Sequence, residues 1–274
     1  MIITSHARRA LQALDDKFGV TIGRGICDHY FIEGGKAPNA RFRSAPMHMV
    51  QAYDDRRVFP MPNGATAAVP FKLGDDIIEL LIATGFAEVW LAKEGHAGKV
   101  FINFLNKIEM PLIYVLYGAM LAGVNGVIVG AGNPDGLPAA CTRLAHHEEV
   151  STHISVLYRD AGEEFAISFD PKLVDHGRLA TRPLRRPAFL AIVSLEDLVK
   201  ALAESESAAP DGFIIENYTA GGHNANPVGP LHRDEMGQPI YGAKDIPDLD
   251  AIRRVGIPFW LAGGYGSHAQ LKVA

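Results

Sequence analysis

The chain has 274 residues, 48% of them hydrophobic, which is enough for one large or two small domains with a sizeable core. Its net charge of −5, with acidic and basic residues interspersed and no basic run, excludes a nucleic-acid binder or a protein held on an anionic membrane. The two cysteines, Cys27 and Cys141, lie far apart with no CxxC spacing; no signal-like stretch and no membrane-length apolar run is present, so a soluble cytoplasmic protein is expected.

Residues 1–74 are read as an irregular and helical N-terminal segment. It has a helical stretch from Ala7 to Phe18, followed by a region rich in Pro, Arg and Met. From residue 75 the pattern alternates. A helix is predicted from Asp75 to Lys93, with Gly95 as its C-cap, then an apolar run from Val100 to Leu105. Pro111 can open the next helix, which stops near Gly123. Further apolar runs are Gly126–Gly132, Ala188–Val193, Gly212–Glu216 and Ile257–Ala262. Ser194 is placed as N-cap of a helix over Leu195–Leu202, Asp248–Val255 makes a short helix, and Ser267–Ala274 makes about two turns.

Because the runs are continuous rather than alternating, they read as parallel strands buried on both faces. Strand–helix units of this kind give a parallel α/β fold, either a barrel or an open doubly wound sheet. Two stretches break the rhythm. Residues 153–169 read as a β-hairpin turning at Asp160–Gly162, and residues 224–247 as a long loop excursion, which in a compact domain is functional or mobile.

Four segments can carry chemistry. Glu216-Asn217-Tyr218-Thr219-Ala220-Gly221-Gly222-His223 lies at a strand's carboxyl end, where the βα loops of parallel folds converge on a site. Paired glycines let backbone approach a ligand, and His223 is the candidate base; the alternative is a Gly-rich turn with a surface histidine. Ala262-Gly263-Gly264-Tyr265-Gly266-Ser267 follows another strand and opens a helix, so it is either an anion site or a tight turn with Ser267 as N-cap. Asn103 is an amide inside an apolar run; read as buried, it holds a ligand's polar edge or ties down a loop. Gly130-Ala131-Gly132 makes room for a flat ring or forms a simple turn.

Other motifs fail. Gly23-Arg24-Gly25 lacks the third glycine of a dinucleotide fingerprint, and no phosphate loop or Gly-x-Ser-x-Gly elbow is present. His147-Glu148-Glu149-Val150-Ser151 departs from HExxH at Ser151, so no metal site is expected, and His146, His147 and His153 read as a solvated face.

Taken together, Asn103, Gly130–Gly132, Ala220–His223 and Ala262–Ser267, with Leu91–His96 and Leu116–Gly123, resemble the nitronate monooxygenase family, formerly 2-nitropropane dioxygenases, over about residues 75–274. The resemblance implies a TIM-type (β/α) barrel with non-covalent FMN at its carboxyl end. Asn103 would lie beside the flavin ring, and Gly130, Gly132 and Glu216 would also line the cofactor. Gly221 and Gly222 would border the ribityl-phosphate tail, Gly263, Gly264 and Ser267 would bind the phosphate, and His223 would be the base near a small-molecule substrate. It implies oxidation of an alkyl nitronate or similar carbon acid with reoxidation by O2. The superfamily's flavin-dependent enoyl-acyl-carrier-protein reductases offer a second chemistry. Three departures stand out. The family's first-strand Gly-Gly-Met-type loop and the eighth strand's Gly-Thr loop have no counterpart here, and Asn217 stands where relatives have glycine. A barrel lacking its first two strands and its last is therefore expected, as a homodimer, with a complementing chain, or as a non-catalytic fragment needing a partner.

Overall fold

A computed structural model describes residues 5–22, 69–70, 73–132, 134, 136–156, 164–205, 209–220 and 225–273. In chain order the elements are α1 (Ser5–Phe18), β1 (Val69–Pro70), α2 (Asp75–Ala92), β2 (Phe101–Leu105), α3 (Glu109–Leu121), β3 (Gly126–Gly130), α4 (Leu137–Ala145), β4 (Val150–Ile154), β5 (Phe165–Phe169), a 3-10 turn (Pro171–Gly177), β6 (Ala188–Val193), α5 (Glu196–Ala203), β7 (Gly212–Glu216), a 3-10 turn (Ala243–Asp245), α6 (Leu249–Val255), β8 (Phe259–Ala262) and α7 (His268–Val273). The chain divides into two compact units, one from residues 1–100, 108–125 and 140–187, the other from 101–107, 126–139 and 188–274.

The first unit is built on a helix pair. Residues 112–114 and 116–121 of α3 are all buried, as expected of a helix apolar on every side. Its contact with α2 is close because two glycines remove the side chains at the crossing. A Cβ at Gly85 would sit 2.1 Å from the Val115 carbonyl oxygen, and one at Gly118 would sit 1.9 Å from that of Ile82. Helix α1 packs on α2, across the boundary expected at residue 74. Lys17 Nζ donates to the Leu121 carbonyl at 2.6 Å, and Lys93 Nζ to the Gly123 carbonyl at 3.0 Å, so two cations close the carbonyl-rich end of α3. Strands β4 and β5 pair antiparallel from Val150↔Phe169 to Ile154↔Phe165, and β1 adds to β5 in parallel. The pair lies where a hairpin was expected, while its predicted turn at Asp160–Gly162 lies outside the described residues.

One expectation about this unit is overturned. His147 does not belong to a solvated face: it is 4% exposed, with Nδ1 2.9 Å from the Tyr117 hydroxyl and Nε2 2.6 Å from the Arg182 carbonyl. A carbonyl only accepts, so Nε2 donates to Arg182, and in the neutral ring Nδ1 accepts from Tyr117. His146 and His153 are exposed as expected.

The second unit holds a five-stranded, wholly parallel sheet in the order β2-β3-β6-β7-β8. These are the five apolar runs of the sequence, and the chain is of the α/β class. Each strand lies beside its predecessor in this sheet, so the order never reverses and there is no topological switch point. One face carries Val127, Val129, Phe189, Ala191, Val193, Phe213 and Ile215, all nearly inaccessible, and the unit's helices contribute Val199, Leu202, Ala251 and Ile252 to its core. The other face carries Phe101, Asn103, Leu105, Ile128, Ile192, Ile214 and Trp260. Here the expectation of strands buried on both sides holds for the inner strands, where Leu190 on this face is 6% exposed, and fails at the outer strands β2 and β8, where Phe101 is 41% and Trp260 52% exposed.

Helix starts also differ in detail. Ser194 does not cap α5; the N-cap position is Leu195, with no side-chain bond, and the acidic first turn Glu196-Asp197 complements the helix dipole instead. Asp248 does cap α6, accepting from Asp250 N and Ala251 N, and Gly256 ends that helix in the left-handed conformation.

Candidate functional site

The carboxyl tips of β7 and β8 meet. Beyond Glu216 the chain turns on Asn217, whose side-chain oxygen accepts from Thr219 N at 3.3 Å and whose carbonyl accepts from Ala220 N at 2.9 Å. Asn217 makes this turn without a left-handed φ, through its side-chain bond to the backbone. Asn217 N donates to the Ala262 carbonyl at 3.1 Å, which fixes the β7 tip to the end of β8. There the chain passes through two left-handed residues, Gly263 (φ +93°) and Gly264 (φ +75°). A Cβ on Gly263 would lie 2.6 Å from Ala220 N, and one on Gly264 2.7 Å from Thr219 Oγ1. These glycines are therefore required both by conformation and by the approach of two strand tips.

Ser267 opens α7. Its hydroxyl accepts from Gln270 N at 3.3 Å, and the Gln270 side chain accepts from Ser267 N at 3.2 Å, a reciprocal capping box. The hydroxyl proton remains able to donate outward.

A second tip lies at the far side of the sheet. Gly130 ends β3 with its carbonyl accepting from Asn106 N at 2.8 Å, and a Cβ on Gly132 would lie 2.9 Å from Asn106 Nδ2. Asn106, one residue past β2, thus organises this tip, and the sequence reading missed it. Asn103 does not become a buried amide. It is exposed, on the same face as Phe101 and Leu105. The strand pairings Asn103↔Ile128, Ile128↔Leu190 and Leu190↔Gly212 place it three strands away from β7 and four residues below Glu216. Along the sheet that is about 20 Å. Asn103 and half-buried Glu216 are therefore not neighbours in the sheet. Gly221, Gly222 and His223 lie outside the described residues.

The loop excursion is pinned at several points. The Val228 and Gly242 amides donate to Asp245 and hold its carboxyl below the usual carboxylate range. Asp234 accepts from Met236 N and Gln238 N, and Tyr241 stacks on Tyr218 with ring centroids 4.8 Å apart and planes 9° from parallel. Nothing in local periodicity signalled this pairing, which joins residues 23 positions apart.

No family model, curated protein or solved structure matches the chain. No helix among the described residues is long and apolar enough to cross a membrane.

The first unit has a concavity of its own, about 360 Å³, lined among others by Glu79, Tyr114, Phe169, Asp170, Asp175 and His176. Burial, and then the charge of Asp175, push the Glu79 carboxyl upward. Asp175 and His176 are both left-handed, at φ +44° and +55°. Asp175 Oδ2 is buried without a hydrogen bond, 3.9 Å from the Arg178 guanidinium.

Proposed function

We propose that the chain is an FMN-dependent oxidoreductase of the nitronate monooxygenase type, wound as a TIM-type (β/α) barrel. The observation that carries this reading is the contact of Gly263 and Gly264 with Ala220 and Thr219, which sets glycine-bearing tips of adjacent strands side by side. The sheet order, following the chain without reversal, supports winding in one sense, as in a barrel.

In this reading the backbone at Gly263 and Gly264, the Ser267 hydroxyl, and Gly221 and Gly222 hold the phosphate end of FMN. The described residues fit that role in one respect: the tip backbone bears no side chains that would keep an anion away. Gly130 and Gly132 leave room for the ring, and Glu216 borders the cofactor. Asn103 and Glu216, about 20 Å apart along the sheet, would meet different parts of the cofactor. Bound FMN would supply the redox chemistry for an alkyl nitronate or similar carbon acid, with O2 as the final acceptor. From a neutral carbon acid His223 takes the proton on the carbon beside the activating group, general-base work that an imidazole can do; an alkyl nitronate has already lost that proton.

Purified protein should be yellow, bind FMN stoichiometrically and consume O2 with an alkyl nitronate. With the neutral nitroalkane as substrate, His223→Ala should then lower turnover at least about 100-fold while sparing flavin uptake. Colourless protein that takes up no added FMN would end the proposal.

A partner-dependent reading is favoured by one observation, the exposure of Phe101, Leu105 and Trp260 on a single sheet face. It expects a homodimer or a co-purifying chain by light scattering. A monomer that binds FMN tightly would retire it.

A further inference from the structure

The concavity of the first unit lies where α2, α3, the end of β5 and the first 3-10 turn come together. Asp75 and Glu79 stand one helical turn apart, so a single face of α2 brings both carboxyls to it. Asp170 and Asp175 reach it from the turn and its cap, and no lysine or arginine lines it. Among the described residues no basic side chain pairs with Glu79. Asp175 has only the Arg178 guanidinium, at 3.9 Å, beyond hydrogen-bond reach. Tyr114 gives an independent sign of a ligand. It is 1% exposed and lines the same cavity, yet its hydroxyl has no hydrogen-bond partner among the described residues. A buried tyrosine hydroxyl ordinarily finds one. The ring is held edge-on to Phe169, with centroids 5.0 Å apart and planes at 67°, so the hydroxyl is kept at the cavity wall. Burial pushes it up to about 12, so it keeps its proton and its lone pairs together.

The walls decide what fits. A volume of about 360 Å³ suits a molecule of several heavy atoms rather than a bare ion. A hard metal ion needs about six converging oxygens, and the described residues form no cluster able to hold a metal. Ile78, Phe169 and Val174 set apolar surface beside the carboxyls, a combination that matches an alkyl chain ending in a positive charge. We propose that this cavity binds a small organic cation, a primary ammonium ion on a short alkyl chain, with Glu79 and Asp175 as counter-charges and the Tyr114 hydroxyl as an acceptor for an ammonium N–H. Binding there does not depend on FMN.

Calorimetry on the full chain tests this with n-pentylamine as the probe, at about pH 8, well above the carboxylate range. Saturable single-site binding is expected, with none for n-pentanol, which has the same chain and no charge. No binding of the amine, equal binding of the alcohol, or tighter binding of magnesium chloride than of the amine overturns the proposal. Glu79→Gln is expected to weaken the amine about tenfold, the worth of one charge-assisted hydrogen bond. Tyr114→Phe is expected to weaken it about 3- to 10-fold while its melting midpoint stays with the parent's, because that hydroxyl has no protein bond to lose. Unchanged affinity in both variants overturns the site. A marked fall in the Tyr114→Phe midpoint would give the hydroxyl a protein partner and remove it from ligand binding. Asp197→Asn, which neutralises a carboxylate whose side chain is 93% exposed, should leave affinity unaltered. A loss there equal to that of Glu79→Gln would make the binding a general effect of an acidic surface and overturn the proposal.

Discussion

Gly118 of α3 lies so close to Ile82 of α2 that a Cβ there would come within 1.9 Å of the Ile82 carbonyl oxygen. Backbone cannot retreat as a flexible side chain can, so the helices would have to separate. We expect Gly118→Ala to destabilise the chain by about 3 kcal/mol, despite alanine's better helix propensity. Chemical denaturation checks this. A neutral outcome would mean that the two helices separate there without cost.

The buried chain Tyr117–His147–Arg182 gives a second expectation. Tyr117→Phe leaves Nδ1 of His147 without its donor, in a site only 4% exposed. The loss should be about 1–3 kcal/mol. Burial and then the charge of Asp170 push the Tyr117 hydroxyl upward, so it stays a donor across the physiological range. Equal urea midpoints for variant and parent would rule the bond out as a stabilising contact.

Glu79 provides a pH-dependent test. Its carboxyl is raised in the fold, by burial first and then by Asp175, Asp75 and Asp76. The folded state thus holds the proton more tightly than the unfolded chain, and stability falls as pH rises from the unfolded value through the folded one. Glu79→Gln removes that penalty. Its melting midpoint should exceed the parent's at neutral pH, and the gap should close below about pH 4, where the parent carboxyl is protonated in both states. A gap that widens on acidification would reverse the assignment.

At the strand tips, Gly263→Ala and Ser267→Ala separate architecture from ligand binding. Alanine at position 263 must adopt φ near +93° and push on Ala220. Strain and clash together should cost about 3 kcal/mol, with loss of FMN uptake. Ser267→Ala removes one capping contact, worth about 1 kcal/mol. If its hydroxyl also meets phosphate, FMN affinity should drop about tenfold, beyond what the small stability loss explains. Calorimetry with FMN reads both; unchanged affinity would leave Ser267 as a cap alone.

Much of the α/β pattern is legible in the chain. Ala188–Val193 and Gly212–Glu216 are strands over the bounds their apolar runs suggest. The short helix after Asp248 and the α2 and α3 helices follow from local chemistry in the same way. Burial was less legible. Val100–Leu105 has the apolar content of a central strand, yet β2 lies at an edge of the sheet with Phe101 and Leu105 exposed. His147, in a short polar run that reads as surface, is enclosed by Tyr117 and the Arg182 backbone, 30 and 35 positions away.

The candidate site divides along the same line. The glycine pair at 263–264 and the serine at 267 announce a turn and a helix start by residue type alone, because left-handed φ and capping are local demands. That this turn rests on Thr219 and Ala220, that Asn106 holds the Gly130–Gly132 tip, that Asn103 points to solvent and that Tyr241 reaches Tyr218 were settled only when distant segments packed. Residue type and periodicity express what a chain prefers within a few positions; which neighbour covers a side chain depends on contacts between segments far apart in sequence, and no local pattern carries that information.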